Sequence, residues 1–179
     1  VDVGAKGKFY GEAGGDTLSI GTNATTTLYG GDGNDSINVG TGASNKIYGD
    51  AGVDTFGAST AGSGVNTATL VGGAGNDIFT LTGDTVSNSA ISGGTGNDSI
   101  DFGSASTVAT SGTTLYFGYG DGADSVDFSA QATAAAVGSY VIAVDSQYGA
   151  TGSYGFSGAS GATQRTVSFG SGTNKGSIA

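Results

Sequence analysis

Short runs with apolar residues two apart recur along the chain: Leu18/Ile20, Ile37/Val39, Phe56/Ala58, Phe79/Leu81, Ile100/Phe102 and Val126/Phe128. A period of two is the period of a β-strand. Each run follows a glycine-rich turn that ends in aspartate. A second, polar turn comes next (GTNATT at 21–26, GTGASN at 40–45, longer versions later). Another short strand then returns the chain, carrying Leu28, Ile47, Leu70, Ile91 and Phe117. One unit therefore makes two strands and two turns, one coil of a flattened solenoid.

Aligned on the aspartate, the units are YGEAGGDTLS (10–19), YGGDGNDSIN (29–38), YGDAGVDTFG (48–57), VGGAGNDIFT (71–80), SGGTGNDSID (92–101) and GYGDGADSVD (118–127). Their aspartates are Asp16, Asp35, Asp54, Asp77, Asp98 and Asp124, at separations of 19, 19, 23, 21 and 26 residues. A fixed period of this size is the mark of a repeat architecture. The pattern predicts an all-β, right-handed parallel β-roll. Its coils stack about 4.8 Å apart and bury a thin apolar seam between two sheets. Tyr10, Tyr29 and Tyr48, beside inward residues of the return strands, are expected to form an outward ladder. Stacked like residues of this kind stabilise a solenoid, and they also offer a surface for sugar or for a neighbouring subunit.

The sequence divides at about residue 128. Residues 1–128 are expected to form a roll of about six coils. Residues 129–179 are rich in Gly, Ser, Ala and Thr, yet YVIAVDSQY (140–148), SYGFSG (153–158) and RTVSFGS (165–171) alternate like strands. Because a solenoid needs cover at its end, antiparallel strands capping the roll are expected there, or an assembly segment contacting a neighbouring chain.

Composition narrows the chemistry. The 179 residues include 37 Gly and no Pro, Cys, Met, Trp or His. Without Cys or His there is no thiolate nucleophile, no Ser/His/Asp set and none of the usual transition-metal ligands. No enzyme activity is expected. No apolar run is long enough for a membrane-spanning helix, and five basic residues against 15 acidic ones argue against a nucleic-acid partner. The chain starts at Val1, as a fragment or processed product would.

Charge changes the picture most. Of the 15 acids, 14 are Asp, and ten acids fall in the six glycine-rich turns, where Glu12, Asp32, Asp50 and Asp121 join the aligned aspartates. Stacking puts the aligned aspartates in a file along one edge, where two carboxylates about 5 Å apart repel by roughly 3 kcal/mol at an effective dielectric near 20. A neutralising cation is therefore expected. Glycine-rich turns expose carbonyl oxygens, and an irregular all-oxygen shell suits Ca2+ better than Mg2+ or a transition metal. Several calcium ions are predicted, held at Asp16, Gly31, Gly33, Asp35, Asp50, Gly52, Asp54, Gly73, Gly75, Asp77, Gly94, Gly96, Asp98 and Asp124.

GGDGNDSIN, GGAGNDIFT and GGTGNDSID each match G-G-x-G-x-D-x-U-x, the calcium-binding nonapeptide of the RTX (repeats-in-toxin) proteins. The resemblance covers roughly residues 9 to 128. It implies repeats that calcium folds into a parallel β-roll outside the cell, after type I export. RTX motifs usually run in tandem and line both edges, whereas here only alternate turns carry the motif, so calcium should line one edge. Glu12 and Gly15 depart from the motif in unit one, Asp50 and Val53 in unit three, and Tyr119 in unit six. The 26-residue spacing is expected to disturb the last site.

These features imply a secreted, calcium-stabilised structural domain of a bacterial surface layer, sheath, filament or adhesin, folding as it binds calcium. Its expected partners are calcium, further copies or neighbouring repeat domains, and cell-surface polysaccharide. The alternative is the export-and-folding module of a secreted toxin or hydrolase, since RTX repeats often trail a catalytic domain. An ice-binding adhesin region is a minor alternative. The position that such a region fills with Thr reads Ala13, Asp32, Ala51, Ala74, Thr95 and Asp121 here.

Overall fold

The computed structural model describes residues 2–3, 6–21, 25–40, 44–58, 65–81, 86–102, 113–117, 122–128, 140–144, 155–158 and 167–169. These residues are all-β and form a parallel β-solenoid, with no helix among them. One eight-stranded sheet runs β1 (Asp2–Val3), β3 (Thr17–Ile20), β5 (Ser36–Val39), β7 (Thr55–Ala58), β10 (Ile78–Thr80), β13 (Ser99–Asp101), β15 (Ser125–Phe128) and β17 (Gly155–Gly158). The facing eight-stranded sheet runs β2 (Gly7–Ala13), β4 (Thr26–Asp32), β6 (Lys46–Ala51), β9 (Thr69–Ala74), β12 (Ala90–Thr95), β14 (Thr113–Phe117), β16 (Tyr140–Val144) and β18 (Val167–Phe169). Sequential strands alternate between the sheets, so each coil contributes one strand to each.

Register follows the repeat. Leu18, Ile37 and Phe56 stand in line, Phe56 pairs with Phe79, and Phe79 pairs with Ile100. Across the core, Leu28, Ile47, Leu70 and Ile91 form the opposing column, and all four are buried. Column packing of like residues brings the Phe56 and Phe79 rings to 4.4 Å, stacked within 10°. The outward ladder is also present: Tyr10 lies 4.9 Å from Tyr29, and Tyr29 lies 5.0 Å from Tyr48.

Three expectations need correction. First, the column beyond Ile91 is continued by buried Leu115, not by Phe117. Unit six has two more residues between strand and turn, since Tyr116 aligns with Ser92 while Gly122 lies over Gly96. Second, residues 140–144, 155–158 and 167–169 are β as expected, but they extend both sheets in parallel and do not cross them antiparallel. Third, the longer polar turns of units three and four contain a third, two-stranded parallel sheet, β8 (Val65–Asn66) with β11 (Val86–Ser87). Val65 and Val86 are buried there, so these two coils close around three faces, not two.

Candidate metal centre

The glycine-rich turns stack in register along one edge, between the return strands and the strands after each aspartate. Two glycine columns shape that edge. Gly31, Gly73 and Gly94 lie in the left-handed region at φ 108°, 123° and 104°, and Asp50 and Glu12 occupy the same column at φ 75° and 76°. Only glycine enters that region without steric cost, so Glu12 and Asp50 are locally strained departures from the repeat. The second column is Gly33, Gly52, Gly75, Gly96 and Gly122, all at positive φ. A Cβ on any of these five would run into the carbonyl of the glycine one coil earlier (Gly14, Gly33, Gly52, Gly75 and Gly96 in turn). Glycine is needed here twice over, for the φ angle and for the close approach of a carbonyl oxygen.

The aspartates ending each turn point inward. Asp35, Asp54, Asp77, Asp98 and Asp124 are buried, and Asp16 on the first coil is half-buried. Each carboxylate reaches back one coil. The amide of Asp16 donates to Asp35 Oδ1, that of Asp35 to Asp54 Oδ1 and that of Asp54 to Asp77 Oδ1, each at 2.8 Å. The Asp77 and Asp98 amides donate likewise to Asp98 Oδ1 and Asp124 Oδ1, at 2.8 and 2.9 Å. The file is therefore continuous through the 26-residue spacing, which does not break the stack.

Oδ1 is thus satisfied by backbone, and Oδ2 carries the open question. In Asp35, Asp54 and Asp77, Oδ2 is buried without a hydrogen-bond partner among the described residues. It lies over the first glycine of its own turn, since a Cβ at Gly30, Gly49 or Gly72 would collide with it. Burying an ionised oxygen unpaired is strongly unfavourable. Burial accordingly raises the Asp54 pKa to about 6, a rise offset in part by the Asp35 amide and reinforced by the charges of Asp77, Asp35 and Asp50. Asp77 is also raised by burial, and Asp50 by burial and then by the charges of Asp32 and Asp35. The protein part alone leaves this edge electrostatically unsatisfied.

A hard cation fits that deficit. Among the described residues no three acidic side chains converge on one point. Any ion here must therefore take most of its oxygens from backbone carbonyls, with carboxylates from neighbouring coils. Such mixed oxygen shells are calcium chemistry, tolerant of ligand number and of geometry. The donor set contains no nitrogen or sulfur side chain.

Two features of this edge escaped the sequence pattern. The amide-to-Oδ1 ladder makes each aspartate a structural acceptor as well as a charge. Asn34, Asn76 and Asn97 form a parallel outer ladder, accepting at 2.8 Å from the amides of Val53, Asn97 and Ala123 on the following coils. Their shared place before Asp35, Asp77 and Asp98 was the available signal. Asp121 and Tyr119 lie outside the described residues. Ala13, Asp32, Ala51, Ala74 and Thr95 do share one column, so among the described residues that column holds a single threonine.

Residues 20–56, 61–84 and 87–106 match the family model described as RTX calcium-binding nonapeptide repeat (4 copies). No curated protein and no solved structure matches the chain. Over these segments the chain is similar to the RTX calcium-binding nonapeptide repeat.

Proposed function

We propose that this chain is a secreted structural domain, from a bacterial surface layer, sheath, filament or adhesin, whose solenoid is completed by calcium outside the cell. The observation that carries this reading is the buried Oδ2 of Asp35, Asp54 and Asp77, unpartnered among the described residues and set against glycine turns. The residues that would hold the ions are Asp16, Asp35, Asp54, Asp77, Asp98 and Asp124, with Asp50 beside them. The backbone at Gly31, Gly33, Gly52, Gly73, Gly75, Gly94 and Gly96 would supply the carbonyl oxygens. When bound, calcium supplies positive charge and coordination to the carboxylates, and several ions are required because the turns repeat.

Millimolar calcium outside a cell is sufficient for the modest affinities of extracellular modules, and binding only the folded form stabilises it by mass action. Without calcium, the desolvated, mutually repelling aspartates oppose folding, which would keep the chain exportable. On this reading residues 1–128 form the calcium-stiffened body, and residues 129–179 serve as its end cover or assembly segment. The role is mechanical and not catalytic.

Small-angle scattering of the chain in chelator and in millimolar calcium tests this. Contraction to a compact rod with calcium, and not with magnesium, is expected. A profile unchanged by calcium would refute it.

A further inference from the structure

Leu28 and Ile47 are buried in β4 and β6, so the residues on either side of them face outward. Three outward columns result across β2, β4 and β6: Lys8, Thr27 and Lys46; Tyr10, Tyr29 and Tyr48; Glu12, Gly31 and Asp50. Neighbouring columns lie about 7 Å apart along the strand. Lys8 and Lys46 are exposed, and among the described residues neither has an ion-pair partner. Lys6, also exposed, precedes the same strand as Lys8. In a chain of net charge −10 with five basic residues, three therefore gather beside the tyrosine ladder. This is a lateral face of the solenoid, which a further coil stacked at either end would lengthen and not cover.

The ladder itself is polar towards solvent. Its rings stack at 4.9 and 5.0 Å, so they cover one another's faces and turn edges and hydroxyls outward. Among the described residues these hydroxyls make no hydrogen bond. A row of hydroxyls with little open apolar area suits a hydroxyl-rich ligand better than the aromatic anchor of a protein partner. An extended chain of pyranose rings advances per sugar by close to the strand spacing, so one sugar meets each tyrosine. Lys8 and Lys46 are two coils apart, about 10 Å along the axis, and so meet every second sugar. Glu12 and Asp50 border the ladder on its other side and repel an anion towards the lysines. The tyrosine column continues as Val71 and Ser92, which limits the row to three coils.

We propose that Lys8, Lys46 and the ladder of Tyr10, Tyr29 and Tyr48 bind an extended acidic polysaccharide carrying one carboxylate per disaccharide, laid along the solenoid axis. The site deepens the structural-domain reading, as the contact that holds such a domain to a surface glycan. It rests on that reading only in that the solenoid must be folded.

Calorimetric titration of the full chain in calcium at low salt, with oligosaccharides of hyaluronan and of unsulfated chondroitin as probes, tests this. Both carry one carboxylate per disaccharide. Binding that weakens with added salt is expected, with cello-oligosaccharides and polyaspartate binding less well. Lys8→Gln and Lys46→Gln are each expected to weaken it about twofold to fivefold. Tyr29→Phe keeps the ring stack and is expected to weaken it about twofold to tenfold. Asn38→Asp, outward on the opposite sheet between buried Ile37 and Val39, lowers the net charge equally and should leave binding unchanged. Circular dichroism in calcium checks that each variant folds. A folded chain that binds neither probe, or loses nothing on either lysine substitution, overturns the proposal and leaves the structural reading standing. Polyaspartate bound as tightly as hyaluronan also overturns it, and marks the face as a site for an acidic protein, a second copy of this chain included. Binding by a chain already folded in chelator would uphold this site while refuting the calcium reading.

Discussion

The amide of Asp54 donates to Oδ1 of Asp77, 23 residues later in sequence and one coil further along the stack, at 2.8 Å. The same bond recurs on each side of it. One carboxylate oxygen is thereby committed to holding two coils together, and the other, unpartnered among the described residues, is the one that the proposed function gives to a cation. Each aspartate has two separable jobs, and substitutions can separate them.

Asp54→Asn keeps an oxygen acceptor for the Asp35 amide and removes the charge. It is expected to stabilise the chain in chelator, where the buried charge only opposes folding, and to weaken it in calcium. Asp54→Ala loses the acceptor as well and should cost about 1–3 kcal/mol under both conditions. The folded fraction in chelator and the urea midpoint in calcium, measured for both variants, check the crossing.

Glycine positions differ sharply in what they tolerate. A Cβ at Gly72 meets Asp77 Oδ2 and the Gly93 carbonyl, whereas one at Gly57 has Asn38 Oδ1 as its nearest neighbour, at 4.0 Å. Gly72→Ala is expected to destabilise by about 1–3 kcal/mol and to lower calcium affinity at that turn. Gly57→Ala should stay within about 0.5 kcal/mol of the parent. Thermal melts and calcium titration distinguish them.

Stability without calcium should depend on pH in an unusual direction. The folded-state pKa of Asp54, about 6, lies above its ordinary value of 3.8, so the folded chain holds a proton that the unfolded chain has lost between these values. Stability in chelator therefore falls as pH rises from about 4 to about 6 and levels off above, with Asp77 and Asp50 acting in the same sense. Protons and calcium compete for the same oxygens, so calcium affinity should fall as pH drops through 6. Far-UV β signal in chelator at pH 5 and pH 7.5, with the larger folded fraction expected at pH 5, checks the first statement, and calcium titration at the two pH values checks the second.

The apolar seam is narrow, and its largest side chains matter accordingly. Phe56 and Phe79 are fully buried and stacked. Either one changed to Ala should cost about 3–5 kcal/mol. Tyr29→Ala on the outer ladder should cost about 0.5–1.5 kcal/mol. Chemical denaturation in saturating calcium gives both numbers.

The repeat made the coil legible because period and motif agree. Alternating apolar pairs marked the strands, and six aspartates in register marked the edge. What was not legible arose where two spacings compete. Leu115 and Phe117 both suit an inward strand position, and counting back from Asp124 selects Phe117. Backbone pairing selects Leu115, because unit six holds its extra residues after the strand. Val65 and Val86 stand five residues before Leu70 and Ile91, a shared offset that signals the third sheet but is carried by one side chain each. The unpaired Oδ2 atoms and the amide ladder lay beyond any pattern of residue types. They depend on which rotamer a stacked aspartate adopts beneath a glycine.

The most direct test is far-UV circular dichroism of the full chain, titrated from chelator into millimolar calcium with magnesium in parallel. A cooperative gain of β signal with calcium and not with magnesium is predicted, because only the tolerant oxygen shell of calcium satisfies the stacked carboxylates. Full β signal already present in chelator at neutral pH would contradict the account, since the core alone would then suffice and the aspartate file would be turn chemistry only.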